Sequence, residues 1–361
     1  MRRRLLSAVG FAVALAFLAV PAAASAAELY APSLLPEGPA RPPAGPMRDT
    51  ILGASAARAS VARRPAVAKA SAQRFYSTDG QGPIDVDLSP SYGPLTQARV
   101  QPYVDFLASR QHGAEFKRLT LFVVTPAEVQ QICSPNALAC YVPSRETMVV
   151  PGEQTPQGEV SVEYVITHEY GHHVATNRAN TPWTAVAWGP KYWATQRSVC
   201  AGVAERRYFP GDQGDNYVRN PGENWAETYA QLHYRNVYPW QFDPSFSPDE
   251  STFFAAQRDV TAPWTKGVSQ RHSGSLTSRR TSKTFPVTTT LDGRLRLTLD
   301  GPSRANFDLQ VVSGGRTVVR SRRSGSEDTL TATDCQVRQF QVRVVRRSGS
   351  GRFTLRIRTP G

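Results

Sequence analysis

Apolar and polar positions change period several times along this chain, and each change marks an element. Between Thr96 and Arg110, Val100, Val104 and Leu107 recur at helical spacing, while Leu119 to Thr125 (LTLFVVT) is a short apolar run of strand type. Thr125-Pro126-Ala127-Glu128 carries the marks of a helix start: an N-cap hydroxyl, proline at the first helical position and a capping-box glutamate. Tyr141-Val142-Pro143 and Thr147 to Val150, separated by Ser144-Arg145-Glu146, predict a small hairpin or bent edge strand. A long helical pattern follows from about Gly158 to Asn177. Thr181-Pro182 is expected to open another helical stretch, broken at Gly189-Pro190 and resumed to about Tyr208, and Asn220-Pro221 a further helix to about Tyr234. Strands confined to the first half and helices after them predict an α+β domain.

Beyond Trp264 the period changes again. Residues 266 to 283 are polar, basic and rich in serine, which predicts a linker. Alternating runs then come at Phe285 to Thr289, Arg294 to Leu299, Asn306 to Val312, Thr317 to Ser321, Val337 to Val345 and Arg352 to Arg358, the pattern of a small β-sandwich over 284–361. At the other end, Arg2, Arg3 and Arg4 precede an apolar run from Phe11 to Val20 and then Ala24-Ser25-Ala26. That run is shorter than the ~20 residues a membrane span needs, so residues 1–26 are expected to be a signal peptide and the mature protein to be secreted without a membrane span. Residues 27–74 are rich in Ala, Pro and Arg and poor in aromatics, which predicts a disordered or propeptide-like segment before a domain at 75–265.

Charge and cysteines refine this division. From Lys266 onward there are 19 Lys and Arg against 6 Asp and Glu, a surplus of 13 that equals the net charge of the whole chain, so the first 265 residues are neutral in sum. A basic C-terminal domain on an exported protein suits anionic cell-envelope polymers. With no recognition helix it does not point to nucleic acid. The four cysteines lack C-x-x-C spacing and, in an exported chain, are expected to form disulfides rather than a cysteine zinc site. Cys133 and Cys140 bracket a turn-rich loop they could close, which leaves Cys200 for Cys335.

The chemistry is concentrated in His168-Glu169-Tyr170-Gly171-His172, an HExxH sequence inside the long helical pattern. Four residues advance a helix by about 400°, so His168 and His172 share a face one turn apart and can present imidazoles to one ion. Glu169 lies about 100° round, placed to reach a water on that ion as a general base rather than to ligate it. Gly171 leaves room for close approach. A catalytic zinc takes three protein ligands, and downstream Asp212, Asp215, Glu205, Glu223, Glu227 and His233 are candidates. Glu223 and Glu227 share one helical face in Asn220-Pro221-Gly222-Glu223-Asn224-Trp225-Ala226-Glu227. Glu223 also fits a capping box with Asn220, but if it binds the metal, Glu227 one turn on can take the other ring N–H of His168 or His172; that ordering favours Glu223 as the ligand.

HEYGH followed some fifty residues later by ENWAE resembles the gluzincin class of zincin metallopeptidases, and most of all the catalytic domain of anthrax lethal factor and related bacterial peptidases. The resemblance implies a zincin-like fold and Zn2+ bound by His168, His172 and Glu223. It also implies Glu169 as the catalytic base, a tyrosine shortly before Glu223 as the oxyanion donor, and Thr147 to Val150 as the edge strand that receives an extended peptide. Tyr217 fills the tyrosine's place by a spacing one residue shorter, with Tyr229, Tyr234 and His233 as rivals. A metzincin would need Gly and His where this chain has Ala175 and Arg178. Phe307-Asp308-Leu309 and the late Gly349-Ser350-Gly351-Arg352-Phe353-Thr354-Leu355 resemble the bacterial pre-peptidase C-terminal domain, with Asn306 where that family often has Asp. The expectation is a secreted, monomeric zinc metalloendopeptidase acting on a protein or peptide substrate. Its rival is an exported envelope-binding or adhesion protein with a structural or vestigial zinc site.

Overall fold

The computed structural model describes residues 27–34, 72–154, 160–321, 323–335 and 338–361. The expected signal peptide lies outside them, as does most of 27–74. The first strands are β1 (Gln73–Phe75), β2 (Ile84–Leu88), β3 (Thr120–Val124), β4 (Cys140–Val142) and β5 (Thr147–Pro151), which form one sheet in the order β1-β2-β3-β5-β4. The three inner strands run parallel, and β1 and β4 close the two edges antiparallel. Alternation along β3 divides the core: Leu121 and Val123 face one cluster, Phe122 and Val124 the other.

Helix α1 (Gln97–Ala108) lies where the spacing predicts it, and α2 (Pro126–Ile132) starts on the expected capping box, with Thr125 and Glu128 each accepting the other's backbone N–H. The predicted hairpin is β4–β5, turned at Glu146 and braced by the Cys133–Cys140 disulfide. Helix α3 (Val162–Thr176), carrying the HExxH sequence, is buried on every side from Val162 to Ala175, so it is a core helix packed against the sheet.

Thr181-Pro182 does not open a helix. It is the turn of a two-rung hairpin, β6 (Ala179–Asn180) with β7 (Trp183–Thr184). Proline's fixed φ and missing N–H suit a turn as well as a first helical residue, so the dipeptide alone does not decide. Short helices α4 (Ala185–Trp188), α5 (Lys191–Gln196) and α6 (Val199–Ala204) follow, then α7 (Pro221–His233) from Asn220, as predicted. Helix α8 (Glu250–Thr261), absent from the sequence expectations, starts where the Asp249 carboxylate accepts from Thr252 N.

The C-terminal sandwich has eight strands: β8 (Val268–Leu276), β9 (Ser282–Thr289), β10 (Gly293–Asp300), β11 (Asn306–Ser313), β12 (Arg316–Arg320), β13 (Asp328–Asp334), β14 (Arg338–Ser348) and β15 (Gly351–Thr359). They form two antiparallel sheets, β13-β10-β15-β8 and β12-β11-β14-β9, around a core that includes Leu297, Leu355, Phe307 and Val342. The expected linker at 266–283 is therefore corrected. Its Ser- and Arg-rich sequence forms β8, an edge strand ordered by backbone pairing along β15 from Leu276 to Val268 rather than by apolar side chains. Of the two readings of 27–74, the disordered one does not hold at its start: Tyr30 N donates to Gly152 O at 2.8 Å, and Glu163 accepts from Tyr30 OH at 2.5 Å and Ser33 N at 2.9 Å.

Sandwich and α+β domain share a junction. Cys200 of α6 is disulfide-bonded to Cys335, across 135 residues of chain. Lys191 Nζ donates to Thr181 O on one side and Asp292 O on the other, each at 2.9 Å, and lies between the rings of Trp183 and Trp264 at 5.4 and 4.9 Å. Trp264 Nε1 reaches Pro360 O at 2.7 Å.

Burial lowers the pKa of Lys191 from 10.5 to about 8. Between those values the unfolded chain holds a proton that the folded chain does not, so this group makes folding more favourable as pH rises through 8 toward 10.5. Denaturant melts should therefore show the wild-type protein gaining stability relative to Lys191→Met over that window. Parallel pH profiles for the two proteins would refute the assignment.

Candidate metal centre

Two helices build the site, and a glycine lets them meet. A Cβ placed on Gly171 would lie 2.9 Å from Ala226 Cα and 3.1 Å from Tyr229 Cβ, so α3 and α7 cross at a distance only glycine permits. Trp225 Nε1 donates to Gly171 O at 2.8 Å and fixes the crossing. Because Ala226 lies between them, Glu223 and Glu227 fall on either side of the contact, facing the histidine turn of α3.

The outcome is a fully buried group of His168, His172 and Glu223 whose donor atoms all lie within 4.8 Å of one another. Glu223 Oε2 is 3.3 Å from His172 Nε2 and 3.6 Å from His168 Nε2. Both separations exceed good N–H···O hydrogen bonds. They match the edge of a tetrahedron with metal–ligand bonds of ~2.05 Å, which is about 3.3 Å. Two imidazoles and a carboxylate at that spacing fit a divalent metal ion. Among the described residues no fourth Asp, Glu, His or Cys joins them. The capping-box alternative for Glu223 is not what forms: Asn220 Oδ1 accepts from Gly222 N at 3.0 Å, and the glutamate turns inward.

Behind the donors, Glu227 Oε2 lies 3.1 Å from His168 Nδ1, which fixes the ring so that Nε2 points at Glu223. The other Glu227 oxygen accepts from Tyr164 OH at 2.7 Å, and Gln231 Nε2 donates to Tyr164 OH at 3.2 Å and to Tyr238 O at 2.9 Å. Burial, and next the charge of Glu227, raise the Tyr164 pKa well above 10, so Tyr164 remains a donor to that carboxylate at every physiological pH. Sequence reasoning missed Tyr164, although it precedes His168 by four residues on the same helix face and that spacing could have found it.

Glu169 is buried beside His168 on α3. Tyr217 OH donates to Glu223 Oε2 at 3.3 Å, so the expected tyrosine borders the group. Gln213, unpredicted and in a polar loop with no distinguishing pattern, donates through Nε2 to Glu223 Oε1 at 2.7 Å. The ring of Phe242 lies between His168 and Tyr217, 6.3 and 5.6 Å from them.

The other candidates lie elsewhere. Glu205 pairs with Arg207, Asp212 accepts from Gly214 N and Asn216 Nδ2, and Asp215 is exposed. His233 approaches Gln111 N at 3.4 Å, and burial lowers its pKa to about 3. Tyr229 OH donates to Gln111 O. The edge-strand expectation is corrected: Thr147 to Val150 lies within β5, paired to β3 on one side and β4 on the other, so the edge is β4. Tyr141 of β4 stacks toward His172, with centroids 6.4 Å apart.

No family model and no curated protein matches the chain. Among solved structures, it is similar to the pre-peptidase C-terminal domain of collagenase from Bacillus anthracis, at 9% identity over 24% of this chain and 87% of that one, TM-score 0.23. The Yersinia pseudotuberculosis-derived mitogen is similar at 13% identity over 26% and 86%, TM-score 0.21. PliG, a periplasmic inhibitor of g-type lysozyme from Aeromonas hydrophila, is similar at 14% over 26% and 86%, TM-score 0.20. Likeness at these scores carries no argument about this chain's activity.

Two substitutions test the centre itself. Glu227→Gln should weaken divalent-metal affinity about 10- to 100-fold in competition with a chelator. Gly171→Ala should destabilise the protein by roughly 1–3 kcal/mol, because the added methyl meets backbone, despite alanine's better helix propensity. An unchanged melting temperature in that variant would mean the helices cross less closely than described.

Proposed function

We propose that the chain is a secreted zinc metalloendopeptidase of gluzincin type, with a zincin-like catalytic domain and a pre-peptidase C-terminal-like sandwich. The observation that carries this reading is the spacing of His168 Nε2, His172 Nε2 and Glu223 Oε2, backed on His168 by Glu227. Two nitrogens and an oxygen suit zinc, and three protein ligands leave a coordination position for catalysis. The Arg-rich start, the short apolar run before Ala26 and the two disulfides support export. Among the described residues no helix is long and apolar enough to cross a membrane.

Zinc held there would supply Lewis acidity toward a water and a peptide carbonyl. The chain's own groups do the rest. Glu169 takes the proton of the attacking water on its carboxylate as the C–O bond forms and charge moves onto the carbonyl oxygen, and then passes that proton to the amide nitrogen as the C–N bond breaks, with no net change at Glu169. Tyr217, whose hydroxyl already reaches Glu223, turns its O–H toward the oxygen that gains charge. Glu227 and Tyr164 keep the His168 ring from rotating.

The rival is an exported adhesion protein whose metal is structural, and the complete burial of all three donors favours it. Glu169→Gln separates the two. In the peptidase, zinc content stays unchanged while cleavage of a peptide library falls about 10²- to 10⁴-fold. Wild-type protein that binds zinc and cleaves nothing in the library supports the structural role, and purified protein that carries iron instead removes the zinc assignment.

A further inference from the structure

The exposed face of the sheet β13-β10-β15-β8 carries Arg271, Arg294, Arg296, Arg352, Arg356 and Arg358, all solvent-exposed. Strand alternation puts the apolar partners Leu295, Leu297, Leu355 and Ile357 in the core and leaves the arginines outward. Register then sets like charges side by side: Arg296 is opposite Arg358, and Arg356 is opposite Arg271. Directly opposed like charges destabilise a sheet. Yet none of the six makes an ion pair with any described carboxylate, whereas on the other sheet Arg347 holds Asp308 at 2.7 Å. The lone outward carboxylate on these strands is Asp300, at the end of β10.

We infer that this face is a docking surface for a linear phosphodiester polymer built on sugars or polyols. Every cation on the face is arginine, whose planar fork suits paired contacts to oxyanions better than a lysine ammonium does. Arginines on neighbouring strands stand about 4.8 Å apart and successive outward positions about 6.7 Å apart, so they form a grid rather than a pocket. A phosphodiester directs its two free oxygens along different tetrahedral axes and can take one guanidinium from each strand. A carboxylate accepts hydrogen bonds close to its own plane, which suits one coplanar guanidinium fork better than guanidiniums standing on two strands. Serine and threonine fill the outward strand positions between the arginines, with no aromatic side chain on those strands among them. The face therefore has hydroxyls for a polyol, and its one neighbouring ring, Trp264, lies at one end beside Arg294, Arg296 and Arg358, with no row of rings on which successive nucleic-acid bases would stack. This surface belongs to the sandwich and does not depend on the metal centre.

The full chain is titrated with fluorescent poly(glycerol phosphate) across a salt series, beside polygalacturonate and an oligo-dT of equal charge. The triple variant Arg296→Gln, Arg356→Gln, Arg358→Gln should bind the phosphate polymer at least tenfold more weakly, and its log affinity against log salt should be shallower by about 2. Its melting temperature should not fall. The charge-matched control Arg304→Gln, Arg316→Gln, Arg320→Gln should lose less than threefold. Equal losses in the two triples would reduce the effect to net charge and overturn the inference. So would oligo-dT or polygalacturonate binding tenfold tighter than the phosphate polymer, or no binding by the wild-type chain at 50 mM salt.

Discussion

The whole centre depends on a helix crossing with no side chain in the gap. Gly171 and Ala226 bring the backbones of α3 and α7 close enough that Glu223 reaches the imidazoles of its neighbour. A methyl at position 171 would push the helices apart, and the N···O separations of 3.3 and 3.6 Å would open with them. Those separations matter because Glu223 and Glu227 are carboxylates withdrawn from water, a state that is costly unless each oxygen finds a cation or donor. Tyr164, Gln213 and Tyr217 supply donors, and the point where the two Nε2 atoms and Glu223 converge is one that could hold a metal ion.

Much of this was legible because it rests on local period. HExxH fixes which two imidazoles share a face, and E-x-x-A-E puts a small residue between two carboxylates on a facing helix, which is how the close contact shows itself in one dimension. The capping box of α2 and the start of α7 at Asn220-Pro221 were readable for the same reason: each motif satisfies backbone donors within one turn.

What the sequence hid is set by partners far along the chain. β8 has no apolar pattern because an edge strand takes its order from the backbone of β15, some eighty residues later, and so it reads as a linker. Whether Thr181-Pro182 caps a helix or turns a hairpin is decided by the neighbouring strand and by Lys191, not by the dipeptide. Gln213 sits in a polar loop whose composition says only that it is a loop. The sheet edge was misassigned for a similar reason: β4 and β5 look alike in sequence, and only β3 pairing with β5 reveals which one is flanked.

The two halves of the molecule differ in electrostatics but not in mechanical independence. Residues 266–361 carry a surplus of 13 positive charges, whereas residues 75–265 hold 13 Lys and Arg against 20 Asp and Glu, so the domain with the candidate metal site is itself repelled by an anionic surface. Any such attraction acts on the sandwich and must be transmitted. The Cys200–Cys335 bond, Lys191 spanning Thr181 O and Asp292 O, and Trp264 on Pro360 O provide three links between the α+β domain and the sandwich. All three meet at one end of the sandwich, where Gly293 pairs with Asp334 and lies against Pro360, and together they hold that end more firmly than a single flexible connection would. A polymer held on the arginine face would thus keep the group of His168, His172 and Glu223 in the neighbourhood of that polymer rather than free to diffuse from it.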